Sequence, residues 1–339
     1  MKRVAGTGIV ARIPGTMKGA PTIAIRGDID ALPIVEETGL PFASQNSGVM
    51  HACGHDVHAT WAVGAAALLL QTPARGDSLI VLQPAEEIGQ GAAAMLASGA
   101  LDKVKAIFGG HVDRRFALGQ VVADAGPLAA SGDTFEIEIV GQGAHAARPH
   151  EARDPIVAAA ALITAIQTIV ARKLNPATPG VVTVGSIVAG NAPNVIPDRA
   201  RILGTVRAID PASRKLMLEE LHRIARSIAA AHDVSANISV PDGTPLLVNP
   251  EPTTAIAREA AERIVGKDAV VPLGFLNLAS EDFAFYMERM AGCFLRIGAR
   301  EPGGVPIPAH SPKFYPAEDS IFTGAAVLAE CARVACERL

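Results

Sequence analysis

Short apolar runs alternate with longer Ala/Leu-rich stretches over the first third of the chain. Residues 22–26, 78–82 and 104–108 are continuous apolar runs of strand length, while 57–70 and 92–101 are predicted helices. Strands apolar on both faces and separated by helices predict a sheet covered on each side, in α/β style. Functional residues then belong on the loops at the carboxyl ends of those strands.

The pattern changes near residue 125. Over 134–139 strict alternation puts Phe135, Ile137 and Ile139 on one face and Thr134, Glu136 and Glu138 on the other, as in a half-exposed strand. A helix is predicted over 152–172, with Leu162, Ile163, Ile166, Ile169 and Val170 as its apolar stripe. Strands follow at 181–187 and 201–206. A second helix opens at Asp210-Pro211, a capping residue with proline at the first helical position, and its stripe is Met217, Leu221, Ile224 and Ile228. A strand over 234–240 completes the order β-α-β-β-α-β of a ferredoxin-like unit. Helices at 252–265 and 321–334 and a strand at 293–297 restore the α/β pattern. The predicted organisation is therefore a mixed-sheet domain in two parts, 1–125 and 241–339, with the ferredoxin-like (βαββαβ) domain inserted at 126–240.

Composition narrows the function. A chain of 339 residues that is 49% hydrophobic and 19% charged can bury a large core, which excludes disorder. Its 30 Lys+Arg against 34 Asp+Glu leave a net charge of -4, so no nucleic-acid partner is expected. The longest apolar run, 61–70, falls well short of the ~20 residues of a membrane span, so no membrane partner is expected either. The start, Met1 to Gly6, is basic but lacks the apolar core of a signal peptide. Cys53, Cys293, Cys331 and Cys336 form no dense framework, and the expected location is the cytoplasm.

The densest group of ligand-type side chains is His51-Ala52-Cys53-Gly54-His55-Asp56-Val57-His58, just before a predicted helix. Thiolate and imidazole suit zinc and its neighbours, although a solvated loop around a buried thiol accounts for the cluster equally well on its own. Glu86 and Glu87 follow the strand at 78–82, and in extended backbone they would point to opposite sides. Gly109-Gly110-His111 follows the strand at 104–108, and Asp28 and Asp30 follow the one at 22–26. Three strand ends carrying such groups favour a metal site over scattered polar surface. His310 lies in a Pro/Gly-rich loop near the C-terminus. A rival, nucleotide-binding reading starts from Gly89-Gln90-Gly91-Ala92-Ala93-Ala94, which fits G-x-G-x-x-A. Glu86 and Glu87 just upstream would repel a pyrophosphate, however.

Taken in order, the strings GVMHACGHD (48–56), PAEE (84–87), GGH (109–111), GAHAARPH (143–150), NVIPD (194–198), SEDF (280–283) and HSPKF (310–314) resemble the M20 metallopeptidase/amidohydrolase family over nearly the whole chain. The branch they are most similar to contains hippurate hydrolases and N-acyl-amino-acid and auxin-conjugate amidohydrolases. The resemblance implies a metal-dependent hydrolase that cleaves N-acyl amino acids to a carboxylic acid and a free amino acid. It implies two divalent ions per subunit, zinc or manganese first and cobalt or nickel as further options, on Cys53, His55, Glu87, His111 and His310. Glu86 would be the catalytic carboxylate, acting as general base and acid. The inserted domain would be a lid and dimerisation domain, making a homodimer. His145 would act from it, in the partner's active site in many relatives, with Asn194 and Arg207 on the substrate. A di- or aminopeptidase, or a catalytically silent metal-binding relative, are the alternatives the resemblance leaves open. Relatives carry several dozen more residues, including a DLHAHPE-type motif, before the segment matching Gly6 to Val10. The resemblance thus implies either an upstream start or a thinner catalytic layer.

Overall fold

The computed structural model describes residues 1–339. The chain forms two compact units: Met1–Leu128 with Val248–Leu276 and Asp282–Leu339, and Ala129–Leu247 with Asn277–Glu281.

In the first unit the chain order is β1 (Lys2–Val4), β2 (Gly8–Ile13), β3 (Thr22–Asp28), α1 (His55–Gln71), β4 (Ser78–Gln83), α2 (Gly91–Ala97), β5 (Val104–Ala117) and β6 (Val121–Val122). The chain leaves this unit within β7 (Gly126–Ala129). The second unit holds β8 (Ser131–Val140), β9 (Ala144–His145), α3 (Pro155–Thr168), β10 (Gly180–Ala189), β11 (Val195–Ile196), β12 (Arg199–Ala208), α4 (Pro211–Ala231) and β13 (Ser235–Ser239). The chain returns within β14 (Leu247–Asn249) and ends with α5 (Glu251–Val265), α6 (Ala284–Met287), β15 (Ala291–Arg300) and α7 (Ser320–Arg338).

The first unit is built on a seven-stranded mixed sheet in the order β1-β2-β4-β3-β5-β15-β6. Its centre, β4-β3-β5-β15, is parallel, and the flanking pairs are antiparallel. Ile23, Ala24 and Ile25 of β3 are wholly buried, as a central parallel strand requires. Helices α1, α5 and α7 share one core with this sheet through Trp61, Leu69, Ala257 and Leu328. α1 can lie this close because β3 offers Gly27, where a Cβ would stand 2.3 Å from the His58 carbonyl oxygen.

The second unit has a four-stranded antiparallel sheet in the order β10-β12-β8-β13, with α3 and α4 packed on it. The alternation in 134–139 is realised in β8: Phe135, Ile137 and Ile139 are buried beneath the helices, and Glu136 and Glu138 face out.

Three local expectations change. The strand predicted at 104–108 runs on to Ala117, because β15 pairs with it in parallel through the Gly-Gly step that reads as a strand end; His111 lies inside it, opposite Arg296. The helix predicted from 152 starts at Pro155, since the Asp154 carboxylate caps the amides of Ile156 and Val157. A π turn over Ile169–Lys173 shifts its phase, which brings Val170 out of the stripe to 36% exposure. That stretch, Pro155–Lys173, is by length and composition apolar enough to cross a membrane, which the short run at 61–70 did not anticipate. Here its Leu162 and Ile166 are buried in the core of the second unit.

Candidate metal centre

The centre is assembled in the first unit where β3, β4, β5 and the start of α1 converge. Gly54 stands between Cys53 and His55 with φ 88°, and a Cβ there would approach Val112 Cγ2 to 2.5 Å. Only glycine reverses the chain at that point, and the reversal aims both flanking side chains at one place.

Two histidines are oriented in the same way. His55 Nδ1 lies 3.1 Å from the backbone carbonyl of Asp30, and its Nε2 is buried without a hydrogen-bond partner. His111 Nδ1 lies 2.6 Å from the Val112 carbonyl, and its Nε2 lies 3.2 Å from Cys53 Sγ. A ring that donates one N–H to a carbonyl presents the other nitrogen as a lone pair, the arrangement of a metal-ligating imidazole. Burial holds the His111 pKa well below the usual value, assisted by the neighbouring His58 and Arg296. Burial acts in the same sense on His55, but Asp28, Asp30 and Cys53 outweigh it and raise its pKa well above the ordinary range.

The expectation that Glu86 and Glu87 point to opposite sides fails. Ala85 has φ 58°, so the backbone turns instead of extending. Glu86 Oε2 and Glu87 Oε1 lie 3.8 and 3.9 Å from the same atom, His55 Nε2. Glu86 Oε1 accepts from the Asp282 amide at 3.4 Å, whereas Glu87 Oε1 is buried with no partner. The Glu87 amide donates to Asp30 Oδ2 at 3.0 Å, which fixes the turn. His310, at φ 67°, donates its own amide to the Ala52 carbonyl at 2.7 Å and brings Nε2 to 3.3 Å from Glu87 Oε2. Cys53 and Glu87 push the His310 pKa up to about 10.

Two ligand trios result, Cys53/His55/His111 and Cys53/Glu87/His310, and they share the Cys53 sulfur. All five residues expected as ligands are therefore brought together, with Glu86 beside them in a third grouping with His55 and Glu87. Thiolate, imidazole and carboxylate donors, a shared sulfur, and orphaned atoms on His55 and Glu87 fit a pair of divalent transition ions. His58 is not available as a ligand. Its Nδ1 is bonded to Asp28 Oδ1 at 2.6 Å and its Nε2 accepts from the Val112 amide at 3.0 Å, with Trp61 stacked on the ring.

The remaining expected residues lie in the second unit. β9 and β11 form a two-stranded ribbon that pairs His145 with Val195 and puts Asn194 at its end. His145 and Asn194 line one cavity of about 750 Å³ with Gly190, Asp198 and Arg199. Arg207 does not line it; its Nη1 donates to Ser280 Oγ, and burial lowers its pKa against the pull of Asp133.

Sequence reasoning noted Asp28 and Asp30 but gave them no role. Asp28 is fully buried between Arg26 Nη1 at 2.6 Å and His58, and Asp30 orients His55 and Glu87. The available signal was the charged string Arg26-Gly27-Asp28-Ile29-Asp30 closing a buried strand. Asp282, within the SEDF string, accepts from Arg26, Gln83 and the Ala92 amide.

The family model described as Peptidase family M20/M25/M40 matches residues 24–334. An N-acetyl-L-cysteine deacetylase of Bacillus subtilis is 44% identical over 86% of this chain and 70% of its own length. An N-acetyldiaminopimelate deacetylase of Anoxybacillus flavithermus is 35% identical over 93% of this chain and 82% of its own. Among solved structures, a dinuclear metal-binding peptidase of the M20 family from Bacillus subtilis superposes with a TM-score of 0.84 at 36% identity, covering 98% of this chain and 86% of that one.

Proposed function

The chain belongs to peptidase family M20/M25/M40, and on that premise we propose that it hydrolyses the amide bond of N-acyl amino acids, using two divalent ions held by Cys53, His55, Glu87, His111 and His310. The observation that carries this reading is the pair of ligand trios sharing Cys53, with a further carboxylate, Glu86, 3.8 Å from the orphaned His55 nitrogen.

When bound, the ions supply Lewis acidity, lowering the pKa of a water and polarising an amide carbonyl. Glu86 takes the proton from the attacking water and returns it to the amine nitrogen as the C–N bond breaks. His145 is assigned to the developing charge on the carbonyl oxygen, from the same or a partner subunit. Asn194 is assigned to the substrate's polar groups, and Arg207, a permanent cation with a planar fork of donors, to its free carboxylate. Benzoyl (hippurate-like) and acetyl groups are the acyl classes we propose, and zinc or manganese the ions.

We assign residues 126–240 as a ferredoxin-like lid that makes a homodimer. In support, β10 is an edge strand with Ile187 and Val188 47% and 66% exposed, and α3 exposes Ile156 and Val157 on its outer side. A cytoplasmic location is supported by the four free cysteines.

The test is amino-acid release from N-acetyl and N-benzoyl amino acids after loading with zinc or manganese. Glu86→Gln should keep its metal content and lose roughly 10²–10⁴-fold in turnover. Near-normal turnover in that variant removes Glu86 from the chemistry. Cleavage of dipeptides alone would shift the assignment to a peptidase.

A further inference from the structure

The loop that presents His310 has no regular secondary structure between β15 and α7, and most of its side chains are exposed, Val305 to 65%. Apolar packing reaches the loop only at Ile307, partly buried against the core of the first unit, and again at Phe314, which is buried. Beyond that, the Glu37 amide donates to the Pro312 carbonyl at 2.8 Å, and one buried cation ties several positions of the loop together. Arg114, on the same strand as His111, is 2% exposed. Its Nη1 donates to Glu301 Oε2 at 2.7 Å and to the Tyr315 and Ala299 carbonyls at 3.0 and 3.3 Å. Its Nη2 donates to Glu301 Oε1 and to the Val305 carbonyl, both at 3.0 Å. The guanidinium also lies 4.4 Å from the centre of the Tyr315 ring, whose hydroxyl donates to Glu301 Oε1 at 2.7 Å.

We propose that Arg114 is a positioning residue for the Cys53/Glu87/His310 half of the metal centre: by tying Glu301, Val305 and Tyr315 to one guanidinium it closes the loop and holds His310 against Cys53 and Glu87. This rests on the dinuclear reading above. Besides Ile307 and the Glu37–Pro312 bond, two polar anchors of different kinds hold the loop. Its base is the Arg114 fork, and its tip is the His310 amide on the Ala52 carbonyl, next to the shared Cys53. Between them the backbone must accept φ 67° at His310, a left-handed conformation that a non-glycine residue keeps only when its surroundings impose it. An unfastened loop would have to be ordered by the incoming ion itself, so the affinity of that half-site would fall. Cys53, His55 and His111 sit on other elements and need no such help. Lysine cannot reproduce the planar fork that reaches four residues, Ala299, Glu301, Val305 and Tyr315.

The experiment is a cobalt(II) titration of metal-stripped protein, followed by visible absorption and by chelator competition. The wild type should take up two ions, and His310→Ala should lose one of these steps. Arg114→Gln should weaken that same step by ~10–100-fold, the usual effect of removing a group that orients a ligand, and leave the other unchanged. Arg114→Lys should fall between the two, and the double variant should bind no more weakly than His310→Ala. Equal weakening of both steps, or of neither, overturns the clamp. Glu301→Gln and Tyr315→Phe, which each remove one contact, should shift the same step by less. They carry the test if Arg114→Gln does not fold, and two intact steps in both would overturn it. A wild type that takes up no cobalt would instead overturn the metal centre itself.

Discussion

In the first unit, Asp28 lies fully buried between Arg26 and His58; in the second, Glu136 and Glu138 pair with Arg201 and Arg199 on the open face of β8 and β12. All three carboxylates have lowered pKa values, but for different reasons. Burial alone would raise Asp28, and only Arg26, His55 and His58 together carry it well below the ordinary range. Glu136 and Glu138 are lowered by direct hydrogen bonds from arginines that stand in solvent. Removing a partner of Asp28 strands a charge in the core, whereas water replaces the partner of Glu136 at little cost. The same contrast separates the candidate site residues. His55 and His111 of the first unit are oriented by backbone carbonyls before any ion arrives, and His145 and Asn194 of the second are exposed on a short ribbon.

The largest effect that sharpens this contrast is expected from the shared sulfur. Cys53→Ala should remove a ligand from both trios, so metal content falls for both ions and turnover is abolished. His145→Ala should keep the full metal content and lose about 3–4 kcal/mol of transition-state stabilisation, read as kcat. Metal analysis of the two variants side by side checks the division; metal loss in His145→Ala would erase it.

Asp28→Asn comes next. It should destabilise the fold by roughly 3 kcal/mol, the low end for a broken buried pair because Asp282 stays beside Arg26. The pH dependence has a definite sign. Asp28 is depressed below its ordinary value of 3.8, so its contribution is present above about pH 4 and is lost as the pH falls through the folded pKa. The gap in Tm between wild type and variant should therefore narrow below about pH 4. A gap independent of pH would mean that the charge of Asp28 is not what stabilises. The smallest effect is expected from Glu136→Gln, which should leave Tm unchanged at every pH, and a clear drop there would break the comparison from the other side.

Much of the site was legible because its ligands sit in short strings. Cys53 and His55 flank one glycine, and Glu86 and Glu87 are adjacent, so spacing alone brought them to attention. Gly109-Gly110 looks like punctuation in the sequence, and only pairing with β15 carries β5 through it. The shared direction of the two glutamates is hidden in the sequence because the positive φ belongs to Ala85, a residue whose identity does not announce it. Arg114 carried no signal at all. An arginine next to another arginine reads as surface, and its five acceptors lie on residues 299 to 315, far along the chain.

The sequence by itself determined the central strands and the long helices, though not the short or edge strands such as β1, β2 and β9, and which side chains can bind or move a proton, because periodicity, capping and ligand chemistry are local properties. It also determined the family, because an ordered set of strings survives without any knowledge of contacts. Tertiary structure alone decided that Cys53 is common to two trios, that His58 has both nitrogens occupied, and that Asp28 and Arg114 hold buried charge. Those outcomes depend on distances between strands far apart in the chain, and on how completely water is excluded between them.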